Sequence, residues 1–228
     1  MKLLLSDSIL GPATFVDYLA GERTPADGLI VYVGGAVGTK EHAARRQEEP
    51  KELQLLLGAA GCGFPAVIVP NSPSVTGSLA ECADHFRRHM ISEVLPAIAS
   101  PIGCLGVVGY SHGAFLAALF AATTPIPVAA MAFVGGVGMA EGLADLPFGL
   151  GALSSPIQIA TNLQDPCRPH STRLDERLAA AGRPALFVLG SGGHEFRAYV
   201  DNGLLPGAVR FVVTRLRSFL GRVDELSR

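Results

Sequence analysis

Leu105-Gly106-Val107-Val108-Gly109-Tyr110-Ser111-His112-Gly113-Ala114-Phe115-Leu116-Ala117-Ala118-Leu119 passes from an aliphatic stretch through a serine turn into a second apolar stretch. Residues 105–109 read as a short strand without alternation, as in a sheet covered on both faces. Residues 114–122 are apolar all round and read as a buried helix. Gly109-Tyr110-Ser111-His112-Gly113 must therefore turn sharply from strand to helix. Glycines flank the turn because a Cβ there would collide with the neighbouring strand and helix. Such a turn lifts a serine hydroxyl above the sheet edge. It also aims the amides of a helix N-terminus at any negative charge that develops there.

The same alternation extends in both directions. Short apolar runs at 29–33, 66–69, 128–134, 157–160 and 185–189 read as further strands, with edge strands at 2–6 and 15–20. Helices fill the intervals. Pro50 suits a first turn, and Leu53, Leu56, Leu57 and Ala60 recur on one face until Gly61. Ser78 with Glu81 makes a capping box ahead of the stripe Leu79, Ala83, Phe86, Met90 and Val94. Val209, Val212, Val213, Leu216 and Leu220 give a last amphipathic helix that should stop near Gly221. No repeat or linker divides the chain, so all 228 residues are expected to form one α/β domain. Its sheet should be mostly parallel, with helices on both faces. Right-handed crossovers bring the loops at the carboxyl ends of the strands to one edge, where ligands bind.

Composition removes several classes of function. Hydrophobic residues make up 49 % and charged residues 17 %, enough for a large core and against disorder. Net charge is −2 with no long basic run, so no nucleic acid partner is expected. The lack of Trp argues against a surface that stacks bases or sugars. The four cysteines show no C-x-x-C spacing, Cys104 reads as a small core residue, and no disulfide framework is implied. The apolar run after Met1 is too short for a signal peptide, and no segment is long enough to span a bilayer. A soluble cytoplasmic protein without stable membrane insertion is the expectation.

Residues 109–113 fit G-x-S-x-G and resemble the nucleophile elbow of the α/β-hydrolases, in particular the Gly-x-Ser-His-Gly elbows of some bacterial lipases and esterases. The resemblance covers the whole chain in its order of elements but is sharp only at three short segments. It implies a single-domain α/β-hydrolase fold with Ser111 as nucleophile. The second segment, 157–169, is similar to the strand and loop that supply the acid of the triad. It puts Asp165 in that role, with Asp145 and Glu141 as alternatives and Asp175 assigned to a helix. The third, Leu189-Gly190-Ser191-Gly192-Gly193-His194, matches the point where the superfamily carries its base, so His194 takes that role. The resemblance also implies an oxyanion hole. One donor is the amide of His112, and the second comes from Gly34, Gly35 or Ala36 after the strand at 29–33. The histidine often found before those glycines is replaced here by Val33.

Other candidates are set aside. Glu81, His85 and His89 have metal-ligand spacing but read as a solvated helix face, so no metal is expected. His42 lies in a charged stretch, and His170 has no assigned role beyond a place near the site entrance. Residues 34–38 lack the ending of a phosphate-binding loop. Residues 139–156, with Leu143, Leu146, Phe148 and Leu150, should form a small apolar flap in place of a helical cap, beside a polar wall from 71–77. The expected activity is hydrolysis of a small-molecule acyl ester or thioester through a Ser111 acyl-enzyme, without cofactor. Transfer to another acceptor, or ligand binding without turnover, are the alternatives; the sequence is silent on oligomeric state.

Overall fold

The computed structural model describes residues 2–5, 14–19, 28–35, 49–69, 79–98, 102–136 and 153–226. Eight strands are described: β1 (Lys2–Leu5), β2 (Thr14–Leu19), β3 (Gly28–Val33), β4 (Ala66–Val69), β5 (Cys104–Tyr110), β6 (Val128–Val134), β7 (Ile157–Asn162) and β8 (Leu186–Gly190). They form one sheet in the order β1-β2-β4-β3-β5-β6-β7-β8. The six from β4 to β8 in that order run parallel, while β2 pairs antiparallel with both β1 and β4. Strand order reverses between β3 and β5, so the loops leaving these two neighbours diverge and open a crevice.

Among the described residues six α-helices accompany the sheet: α1 (Glu49–Ala59), α2 (Leu79–His89), α3 (His112–Thr123), α4 (Arg168–Ala180), α5 (Phe196–Asp201) and α6 (Leu204–Leu226). The core lies in two slabs, one on each face of the sheet. One slab joins Phe86 of α2, Phe115 and Phe120 of α3 and Leu174 and Leu178 of α4 to Val31, Val107 and Phe133. The other joins Leu53 and Leu57 of α1 and Val209, Val212, Val213 and Leu216 of α6 to Ile30, Val108 and Ala132. Alternate residues of one strand thus feed opposite slabs, and this two-sided burial is why β3 to β6 are apolar at nearly every position. Helix α3 has no polar face because Gly113 to Ala121 are all buried.

Three expectations need correction. Strand β7 runs two residues further than expected, to Asn162, because Thr161 and Asn162 still pair with Leu189 and Gly190 of β8. Helix α6 does not stop at Gly221 but continues to Leu226. A glycine weakens a helix by about 1 kcal/mol and ends it only when its backbone turns left-handed, which Gly221 does not do. His89 is fully buried, not solvated. It stands one step round the helix from Phe86, and the buried face is wider than the apolar stripe alone. Its Nδ1 lies 3.4 Å from Glu93 in the π-helical turn Met90–Val94 that follows α2. The expected flap, the wall at 71–77, Ser78, Asp145, Glu141, His42 and Ala36 lie outside the described residues. Among the described residues no helix is long and apolar enough to cross a membrane.

Candidate active site

Ser111 follows the last residue of β5 and precedes the first of α3. Its backbone, at φ 54° and ψ −129°, is the sole positive φ outside glycine among the described residues. Strain of this kind costs about 1–3 kcal/mol and persists only where the surroundings enforce it. Gly109 and Gly113 do the enforcing. A Cβ on Gly109 would meet Ala114 Cα at 2.5 Å and Ala117 Cβ at 2.8 Å, within α3. A Cβ on Gly113 would meet the carbonyl oxygens of Gly34 and Val33 at 2.2 and 2.3 Å, at the end of β3. The helix can press against both strands because neither glycine carries a side chain.

The Ser111 hydroxyl lies 2.8 Å from His194 Nε2, and His194 Nδ1 lies 2.9 Å from Asp165 Oδ2. The aspartate comes from the turn after β7. Asp165 and Pro166 open a tight turn in which Arg168 N donates to Asp165 O and Cys167 N donates to the Asp165 carboxylate at 2.6 Å. A turn-forming Asp-Pro and a carboxylate held for His194 are thus the same structure. The Asp165 side chain is fully buried, which by itself raises its pKa. Hydrogen bonds from His194, Tyr199 and the Cys167 amide outweigh burial and hold it below the usual carboxylate range.

The histidine loop is glycine-rich but firmly held. Five consecutive carbonyls, from Gly190 to His194, each accept a hydrogen bond from outside the loop. The donors are Leu163 N, Asn202 Nδ2, Gln164 N, Asn162 Nδ2 and the Tyr110 hydroxyl, at 2.5–3.1 Å. The Tyr110 ring also stacks on the imidazole at 5.9 Å between centroids. The glycines therefore supply the path of the loop, and its neighbours fix it there.

No protein-family model matches the sequence, and no curated protein matches it. Solved structures do. The S-formylglutathione hydrolase of Staphylococcus aureus superposes with a TM-score of 0.66 at 14 % identity, over 93 % of this chain and 98 % of that one. A ferulic acid esterase gives 0.69 at 14 %, over 95 % and 97 %. Mouse alpha/beta hydrolase domain-containing protein 10 gives 0.58 at 19 %, over 95 % and 99 %. This chain has the α/β-hydrolase fold.

Within this α/β-hydrolase fold the loop after β3 lies beside the serine. A Cβ on Gly35 would stand 3.2 Å from Ser111 Cβ. The amide of Gly34 is turned the other way and donates to Val69 O at 2.9 Å, extending the sheet. Gly34 is thereby removed from the three expected oxyanion donors, which leaves Gly35 and Ala36. The His112 amide stands at the N-terminus of α3, next to Ser111. His112 is partly buried against Phe115, and burial lowers the pKa of its imidazole. His170 sits half-buried on α4, and Asp175 lies on the same helix.

Sequence reading missed Tyr199, Tyr110, Asn162 and Asn202. Tyr199, on α5, donates its hydroxyl to Asp165 Oδ2 and accepts from Asn162 N at 3.2 Å. Asn202 donates to the side chain of Asn162 as well as to the histidine loop. Tyr110 stood inside a motif, but only as the variable second residue of the pentapeptide; the other three belong to no spacing motif.

Burial raises the pKa of Tyr32, Tyr110 and Tyr199, and in Tyr199 the hydrogen bond to Asp165 raises it further. For groups raised in the folded state, the stability contributed is complete below the unfolded pKa, near 10, and is lost as pH rises through the folded values. Unfolding free energy is expected to fall above about pH 10 by about 1.4 kcal/mol per pH unit for each of the three. Urea melts at stepped pH should show Tyr199→Phe flattening that slope by one such increment. An unchanged slope would mean that Tyr199 ionises as freely in the folded chain as in the unfolded one.

Proposed function

We propose that this chain is a serine hydrolase that cleaves carboxylic esters or thioesters of small molecules through an acyl-enzyme on Ser111. The observation that carries the reading is the unbroken relay from Ser111 Oγ to His194 Nε2 at 2.8 Å and from His194 Nδ1 to Asp165 Oδ2 at 2.9 Å, set on a strained elbow. The presence of esterases and other hydrolases among proteins of the same fold supports an ester as the substrate class.

His194, with its proton on Nδ1 toward Asp165, offers the Nε2 lone pair to the Ser111 hydroxyl. As Oγ bonds to the substrate carbonyl carbon, its proton passes to Nε2 and the carbonyl π pair moves onto oxygen. Asp165 stays anionic, fixes the imidazole tautomer and stabilises the imidazolium. The amide of His112 and that of Gly35 or Ala36 receive the oxyanion. Collapse breaks the bond to the leaving oxygen or sulfur, which takes the proton from Nε2. Water then repeats the cycle: His194 takes a proton from it, hydroxide adds to the acyl carbon, and Ser111 leaves with that proton. These groups and water carry every proton and electron pair.

A fluorophosphonate probe reads the nucleophile directly. The wild type is expected to label at Ser111, Ser111→Ala not at all, and His194→Ala far more slowly. Folded wild type that fails to label would favour a ligand-binding protein without turnover.

A further inference from the structure

Cys167 takes no part through its side chain in the chemistry proposed above, yet that side chain faces the same groups. The ligand atoms of Asp165, Cys167 and His194 all lie within 4.8 Å of one another. Burial, together with the nearby Asp165 carboxylate, raises the pKa of the thiol, so it stands as a neutral thiol. The group is well fixed. Asp165 and Cys167 share one turn, and Cys167 Cβ packs so closely on Gly136 that a Cβ there would come to 2.4 Å. Sulfur, imidazole nitrogen and carboxylate oxygen are the donors of tetrahedral zinc, and sulfur beside imidazole selects a thiophilic cation over magnesium or calcium.

We propose that Cys167, His194 Nδ1 and Asp165 form an inhibitory site for a thiophilic divalent cation such as Zn²⁺; its effect on turnover rests on the serine-hydrolase reading. Zinc bonds of about 2.0–2.3 Å place tetrahedral donors roughly 3.3–3.7 Å apart. The three ligand atoms already lie within 4.8 Å of one another, so to reach that spacing the thiol must turn inward and the His194–Asp165 pair, now 2.9 Å apart, must open slightly. On binding, the thiol loses its proton to water and the sulfur lone pair goes to the cation. The Nδ1 lone pair also goes to the cation, and the proton that Nδ1 carried reappears on Nε2. One proton is released per cation. Nε2–H then points at Ser111 Oγ as a donor and can no longer accept the serine proton, so the base is locked in the unproductive tautomer.

Two measurements on the full chain test this. In the first, initial rates of ester hydrolysis are followed through a zinc titration, each variant against its own zinc-free rate. Zinc should inhibit the wild type, a chelator should restore the rate, and Cys167→Ser should need at least about 10–100-fold more zinc, the loss typical of disturbing even an outer ligand shell. In the second, cobalt(II) replaces zinc and its thiolate-to-metal absorption is recorded, which requires no turnover. The band should be present in wild type, lost in Cys167→Ser and retained in Cys62→Ser. Cys167→Ala serves if the serine variant does not fold. Equal zinc sensitivity of wild type and Cys167→Ser, or a cobalt band that survives loss of Cys167, would overturn the site. A chain that hydrolyses no ester but shows the Cys167-dependent band would leave the cation site standing and remove the hydrolase.

Discussion

Replacing His194 by alanine is expected to lower kcat for hydrolysis of a short-chain aryl ester by about 10⁶-fold, with little change in KM. Among the described residues one base meets Ser111 Oγ, His194 Nε2 at 2.8 Å. Without it the hydroxyl must attack protonated, and removing either member of such a pair costs about as much as removing both. Asp165→Asn should cost less, about 10⁴-fold at neutral pH. The asparagine amide would donate to Nδ1 and force the proton onto Nε2, but the imidazole would stay in place between Tyr110 and the five-carbonyl clamp. The order of the two losses carries the argument. A His194→Ala loss below about 100-fold would remove His194 as the base, whatever the aspartate variant did, because general-base catalysis alone supplies that much.

The parts of this site legible in the sequence are those written in adjacent residues. Gly109-Tyr110-Ser111-His112-Gly113 states a strand, a forced turn and a helix in a single stretch, and the strand boundaries 128–134 coincide with β6. Asp165 and His194 were legible because each follows a strand closely in the expected order. What stayed hidden depends on which strands become neighbours. The strand was read as ending at 160, which left Asn162 in the loop beyond it; pairing with Gly190 makes Asn162 the last residue of β7, and its side chain then holds Gly193 O at 2.8 Å. Tyr199 reaches Asp165 across 34 residues of chain, through a helix with no sequence signature of its role. The same applies to Gly34, whose amide is removed from the oxyanion candidates by β4, a strand 32 residues further on that the sequence does not place beside it. His89 was misread for a related reason: helical periodicity marks which residues are apolar, and a polar side chain at the margin of the stripe is buried or exposed according to what packs over it.

Gly113→Ala is expected to destabilise the chain by more than about 3 kcal/mol, beyond the usual range for a single added methyl in a packed core. The methyl would lie 2.2 Å from Gly34 O, 2.3 Å from Val33 O and 2.7 Å from Gly34 C. All three are backbone atoms, so no rotamer change relieves the overlap. Relief requires α3 to lift from the end of β3 or β3 to move away from β5, where six residue pairs hold it in register. The damage then reaches the chemistry as well. Gly35 packs on Ser111 from that same segment, and displacement of about 1 Å in a group that positions reacting atoms can cost about 10²-fold in rate. Gly207→Ala supplies the contrast. Gly207 lies inside α6, donates to Gly203 O at 2.9 Å, and has nothing beyond its own turn of helix within 4 Å of where its Cβ would stand. There the same substitution should stabilise the fold, by up to about 1 kcal/mol, because it removes freedom from the unfolded chain and improves helix propensity. Urea melts of the two variants should therefore move in opposite directions from wild type. If Gly113→Ala folded with wild-type stability, the close packing of α3 on β3 would be wrong, and with it the strained φ of Ser111 that lifts its hydroxyl toward His194.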